Sequence, residues 1–391
     1  MATERFLTSQ SDVDELVEAA HGAGRVGLDT EFMREKTYRA RLCLLQVATP
    51  DDLVLIDPLE NVDLKGVGDL VSSPDVEVVV HAGRQDFELF YEGMGAVPKR
   101  VFDIQVAAGF AGIGASLPYN RLIEETVGAN VDKGESYTDW CQRPLTEAQL
   151  HYAANDVRYL LEAAAVLKEK LKGMARLEWV EEELLSFEKE ELYSADPAEA
   201  WRRVSGKGSL RGKHLSILRE VARWREETAA RRDIPRGWVL KDQTLVEIAR
   251  RSPANAGDLG SIRGLNAKEA ERSGGGILQA IEKGKRGPAI EATSSPPRAA
   301  QIRARMLTGL ADAIVRSRCE HAEIATELVA TRGDLEALLA DVFSNEHHLE
   351  KHRLMRGWRR DLAGEAVVAL AEGRVAVRAI EDPPYIEEVY L

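Results

Sequence analysis

The chain has 391 residues, 44% of them hydrophobic, and a formal net charge of −13. That is enough for a substantial core and for two or three domains. No apolar run approaches membrane-spanning length, and the first twenty residues lack the basic and apolar regions of a signal peptide. The three cysteines, Cys43, Cys141 and Cys319, are scattered with no zinc-like spacing, which points to a reducing compartment and a cytoplasmic enzyme.

A helix is predicted over about 10–22, followed by a strand in "RVGLDTEF". Alternation along that strand puts Asp29 and Glu31 on one face, with Leu28, Thr30 and Phe32 on the other. Two carboxylates side by side near a core repel and are poorly hydrated, so a divalent cation is the simplest compensation. Apolar runs at 40–48, 53–57 and 76–81 read as further strands. The first three strands, joined by short turns, read as an antiparallel meander. Helical patterns follow at 84–93, 103–112, 116–128 and 146–172, so the first 175 residues read as mixed α/β.

A third acid, Asp86, falls in the first turn of the helix that follows the "VEVVVH" strand, a location where α/β sheets commonly host active sites. A fourth, Asp156, lies in "LTEAQLHYAANDVRYL", where Thr146 and Gln149 form a capping-box pattern that starts the helix. Tyr152 and Asp156, four residues apart, share a face of it. All-oxygen clusters of this kind suit Mg²⁺ or Mn²⁺. Two such ions can stabilise both the attacking and the leaving oxygen of a phosphodiester displacement. In this reading Asp29 bridges two ions, Glu31 and Asp156 hold one, and Asp86 assists the other through water. Tyr152 orients the attacking water, since a phenol is a poor base at neutral pH.

The motifs "LDTEF", H-x4-D within "HAGRQDFELF" and "YAANDVRYL" resemble the three exonuclease motifs of the DEDD superfamily in its tyrosine-bearing branch. "TYRARLCLLQVA" and "DKGESYTDWCQRPLTEAQLHYAANDV" are similar to the ribonuclease D family within it. The resemblance covers about residues 5–175. It implies a ribonuclease-H-like fold, metal-binding acids at Asp29, Glu31, Asp86 and Asp156, and a catalytic tyrosine at Tyr152. The implied reaction is 3′→5′ removal of nucleoside 5′-monophosphates from RNA, with transfer-RNA precursors as substrates. His151 stands five residues before Asp156, the spacing used by the histidine branch, but five residues on a helix point well away from the aspartate. Phe32 and Met33 are candidates to wedge or stack against the 3′-terminal bases, and Lys133, Arg143 and Arg121 to hold phosphates. Asp103 is read as structural.

Residues 176–209 read as a charged helix and then a linker, and 284–300 as a second linker. The blocks between and after them are helical, and they are read as diverged copies of one module. Charge separates them: residues 201–310 carry an excess of +12, against −19 before and −6 after, so a polyanion-binding module stands beside a metal-binding one. The block 208–284 resembles the HRDC domain, with Trp224 and Trp238 expected in its core. Residues 300–380 fit a second, more diverged copy, which either binds RNA or packs on the catalytic domain to form a ring or cleft. The expected architecture is an α/β exonuclease domain over 1–190 followed by two all-α bundles, acting as a monomer on RNA. The same chemistry on DNA, or a nucleic-acid-binding protein with a vestigial site, are the competing readings.

Overall fold

The computed structural model describes residues 3–132, 138–194, 196–290, 296–345 and 348–391. Its centre is a sheet of six strands: β1 (Thr3–Leu7), β2 (Arg25–Met33), β3 (Arg41–Ala48), β4 (Asp52–Ile56), β5 (Glu77–Val80) and β6 (Val101–Asp103), in the spatial order β1-β4-β3-β2-β5-β6. β2, β3 and β4 form the predicted antiparallel meander, while β5 joins β2 in parallel and β1 and β6 close the edges in parallel. The two edge strands carry no clear signal in the sequence, because each is short and has no strong alternation.

Alternation along β2 decides where the acids go. Val26 and Leu28 join the core beneath α1 (Gln10–Ala23), α2 (Lys65–Val71) and α3 (Arg84–Met94), together with Leu45, Val47, Phe87 and Phe90. Asp29 and Glu31 therefore face the other side. That side is covered by α4 (Ile104–Phe110), α5 (Tyr119–Thr126), α6 (Glu147–Arg158), α7 (Leu160–Gly173) and α8 (Leu177–Leu184). The single predicted helix over 146–172 is two helices, broken at Tyr159, and the predicted capping box at Thr146 and Gln149 is present.

Two helical modules follow. The first holds α9 (Lys213–Arg232), α10 (Arg236–Val239), α11 (Asp242–Arg251), α12 (Ala256–Gly260) and α13 (Ala267–Arg286), with a core of its own. The expected linker before it is partly structural, since Ala200, Trp201 and Val204 are buried in that core. Trp238, expected inside, is 61% exposed, while Trp224 is half-buried against the module's core. The second module holds α14 (Arg298–His321), α15 (Thr326–Val329), α16 (Arg332–Val342) and a last helix, Glu365–Ala371. Its apolar residues merge with the α4–α8 core into one continuous cluster.

The modules repeat one another at a corner. In each, a left-handed residue with φ of 46°, Asp233 or Glu323, follows within two residues of the end of a long helix. An isoleucine and a four-residue helix come next, then an extended residue, Leu240 or Ala330. At the end of the chain β7 (Val375–Ala379) and β8 (Ile386–Tyr390) form a hairpin, and Arg318 grips Glu388 through two bonds of 2.7 Å. Cys43 and Cys141 are joined as a disulfide with their Cα atoms 5.2 Å apart, which corrects the expectation of unpaired thiols; Cys319 is free and buried. Among the described residues no helix is long and apolar enough to cross a membrane.

Candidate active site

Asp29 and Glu31 lie on β2 opposite Gln46 and Leu44 of β3, immediately before a register shift at Phe32. Asp156, on α6, meets them from above. One carboxylate oxygen from each of these three residues lies within 4.8 Å of the other two. Among the described residues no Lys or Arg pairs with any of the three. Gln46, fully buried across from Asp29, leaves both its amide oxygen and nitrogen without a partner, so the back of the cluster keeps an unused polar position.

Asp86 approaches from the opposite side of the sheet. β5 stops at Val80, and the turn His81–Gly83 swings the chain into α3 so that Asp86 sits in its first turn, 6% exposed. Its Oδ1 accepts a bond from the Thr30 hydroxyl, because Thr30 points to the α3 face while its neighbours Asp29 and Glu31 point to α6. Asp86 therefore stands behind the three clustered acids. Asp103 builds the turn that places it. Its carboxylate accepts the backbone N–H groups of Ala82 and Gly83 at 3.1 Å each, and also caps α4 through Gln105 N–H at 2.9 Å. The structural reading of Asp103 holds.

The electrostatics follow from this crowding. Burial, then Asp86, Asp156 and Glu31, push the Asp29 carboxyl well above the usual range. Burial, then Asp156 and Asp86, raise Glu31 to about 8. Burial raises Asp156 to about 7 against a hydrogen bond from Tyr152, and Asp86 to about 6 against the bond from Thr30. Four acids held this close, with no Lys or Arg paired to them among the described residues, are poised for a cation. Oxygen-only donors on a rigid strand and helix fit a hard divalent ion.

Tyr152 stands one turn before Asp156 on α6, with its hydroxyl beside that carboxylate. Burial and then the charges of Asp156, Glu31 and Asp29 raise its phenol above the ordinary value. Its ring lies 6.0 Å from that of buried Trp140. His151 is exposed and pairs with Asn155 Nδ2 at 3.0 Å on the outer face of the helix. Tyr119, on α5, is half-buried against the α4–α8 core, with its hydroxyl accepting Tyr159 N–H at 3.3 Å. The sequence held no signal that singled out Thr30, Tyr119 or Trp140, since each contributes through its place in the fold.

The substrate candidates fare differently. Phe32 is half-buried, with the Arg34 guanidinium 5.8 Å from its ring centroid, and Met33 is half-buried against the α4–α8 core. Arg143 is not available for phosphate. Its guanidinium grips Asp57 through two bonds, one of them 2.6 Å, and also donates to the carbonyls of Trp140 at 2.8 Å and Cys43 at 2.6 Å. The cysteine pair lies beside that clasp and ties the same loop to β3. Arg121 is engaged with Glu124 and Glu125 on the surface of α5. Lys133 lies outside the described residues.

Comparison with known proteins agrees with this geometry. The chain matches the family model for a 3′-5′ exonuclease over residues 5–172 and that for an HRDC domain over 214–281. It is 37% identical over 386 residues to ribonuclease D of Gluconacetobacter diazotrophicus, covering 95% of this chain and 93% of that protein. The chain belongs to the ribonuclease D family. Ribonuclease D of Nitrobacter hamburgensis is 39% identical over 363 residues, 91% of this chain and 92% of the relative. The crystal structure of Escherichia coli ribonuclease D superposes with a TM-score of 0.82 at 30% identity, covering 95% of this chain and 99% of that one. The catalytic core of RRP6 from Trypanosoma brucei shares the fold, with a TM-score of 0.53 over 73% of this chain and 80% of that core at 22% identity. As a ribonuclease D-family member, the protein is a 3′→5′ exoribonuclease with an α/β exonuclease domain followed by helical HRDC structure.

Proposed function

We propose that the enzyme shortens RNA by a two-metal-ion mechanism, releases nucleoside 5′-monophosphates, and acts on transfer-RNA precursors and other structured RNA. The observation that carries this reading is the convergence of Asp29, Glu31 and Asp156, with one oxygen from each within 4.8 Å of the others. In this proposal Asp29, Glu31 and Asp156 would hold a pair of Mg²⁺ or Mn²⁺ ions, with Asp86 assisting. When bound, such a pair neutralises charge on the attacking and leaving oxygens and makes water more acidic.

The chain's own groups do the positioning. Tyr152 keeps its proton at working pH, so it orients the attacking water and Asp156 and does not act as the base. Thr30 fixes the rotation of the Asp86 carboxylate. Phe32 and Met33, next to the acids on β2, are proposed to contact the terminal bases. Structured RNA as substrate rests on the likeness to the Escherichia coli enzyme, described as an exoribonuclease involved in structured RNA processing. We also propose domain limits of 1–190, 208–284 and 300–380, a monomeric state and a cytoplasmic location.

A Mg²⁺ titration with 5′-labelled RNA tests the reading. It should give a ladder of products shortened from the 3′ end, abolished by chelator. Full-length product lost in one internal cut would refute it. In the same assay Tyr152→Phe should lower turnover by roughly a hundredfold or more, while His151→Ala stays within about twofold of the parent. The opposite ranking would hand the water-orienting role to His151.

A further inference from the structure

The repeated corner of the two helical modules is used in two ways. In the second module it is buried against the catalytic domain. Ala325 N–H donates to Gly109 O at 3.0 Å, and Leu328 sits so close that a Cβ at Gly109 would lie 2.7 Å from its Cδ1. In the first module the corner also meets the catalytic domain, but through its left-handed residue. Asp233 accepts the N–H groups of Tyr38 and Arg39 at 3.0 and 3.3 Å, and the Tyr38 hydroxyl donates to Glu226 at 3.0 Å. The position that corresponds to Leu328 is Trp238, and it is 61% exposed.

The surroundings of Trp238 say what covers it. Arg236 and Lys241 flank it and are exposed, in the segment with a positive excess of 12. Arg236 lies 3.7 Å from Glu226, the carboxylate that also accepts the Tyr38 hydroxyl, so its charge sits at the junction with the catalytic domain. That junction is the loop leaving β2, which carries exposed Arg34, Lys36 and Arg39. Tyr38 stands seven positions after Glu31, at most about 25 Å of extended chain. A basic path therefore leads from the clustered acids to an exposed indole.

We propose that Trp238, with Arg236, forms a stacking platform for single-stranded RNA upstream of the nucleotide being removed. The indole takes a base of any identity on its face, and the cations follow the backbone. This rests on the exoribonuclease reading above and adds a second RNA site to it. A protein occupant, as at Leu328, is the competing use of the corner. The +12 segment favours a polyanion.

The test uses the full-length Asp29→Asn protein, which cannot consume its ligand, and a fluorescein-labelled single-stranded RNA of about twelve nucleotides. Adding Trp238→Ala should weaken binding by roughly ten- to hundredfold, and Trp238→Phe should recover most of the loss. Adding Arg236→Ala should reduce the slope of log affinity against log salt by about 0.7. On the active background, Trp238→Ala should lower the ratio of kcat/KM for the long RNA to that for a trinucleotide by about tenfold. Binding within about twofold of the parent, or an equal loss on both lengths, overturns the platform. So does a Trp238→Ala protein that binds RNA normally but sediments differently, which would mark a protein-docking corner. Failure of the wild-type enzyme to shorten RNA, with the binding loss intact, would sink the exoribonuclease reading and leave the site standing.

Discussion

Replacing Asp29 by asparagine is expected to lower exonuclease turnover by at least about a thousandfold, and yet to leave the metal-free protein more stable at neutral pH. Both effects have one source. Asp29 is buried and surrounded by Asp86, Asp156 and Glu31, all of which raise its carboxyl. In the unfolded chain these acids titrate near their ordinary values of about 4. In the folded chain Asp86, Asp156 and Glu31 are raised to about 6, 7 and 8. The folded state therefore binds more protons between those limits, and metal-free stability falls as pH rises from about 4 to about 8. Asparagine removes one of the repelling charges, so at pH 8 the variant should gain on the order of 1–2 kcal/mol over metal-free wild type. Divalent cation should stabilise wild type and leave the variant nearly unchanged. Thermal melts at pH 5 and pH 8, with and without Mg²⁺, check this. A variant that is less stable than wild type at pH 8 would mean that the acids are not in mutual repulsion.

Trp358→Ala should cost about 3–5 kcal/mol and should destabilise the catalytic domain together with the second helical module. Trp358 is 3% exposed. Its ring stacks on Trp179 of α8 at 5.3 Å and meets Phe110 of α4 edge-on at 4.9 Å. Around it, Glu183 accepts from Arg359 at 2.6 Å and from Arg353 at 3.1 Å, and Arg176 donates to the carbonyls of Phe110 and Glu323. Residues of both regions form one buried cluster, so the cavity left by the indole weakens both. Urea unfolding followed at the catalytic domain is the measurement. A loss under about 1 kcal/mol would mean that the module is merely tethered.

The acids were legible because chemistry that needs crowded carboxylates must write them into short motifs. Asp29 and Glu31 alternate on a strand, and Tyr152 and Asp156 are one turn apart on a helix. The family resemblance and the first helical module were legible for the same reason. What was hidden depends on which surfaces meet. Arg143 looks like a phosphate ligand until the fold brings Asp57 against it. Thr30 looks like filler until α3 places Asp86 beside it. Trp238 looks like a core residue because its neighbours Val239 and Leu240 are buried, and only the docking of α10 shows that it faces outward. The Cys43–Cys141 pair joins residues 98 positions apart, a separation that spacing alone cannot pair.

The central claim is that carboxylates from one strand and two helices create a site for a pair of hard cations. Anomalous scattering from crystals of the wild-type protein soaked in Mn²⁺ tests it most directly. The account predicts two peaks about 3.5–4 Å apart, bounded by Asp29, Glu31 and Asp156, with Asp86 on the far side. Absence of Mn²⁺ from that cluster, while the protein is shortening RNA under the same conditions, would contradict it.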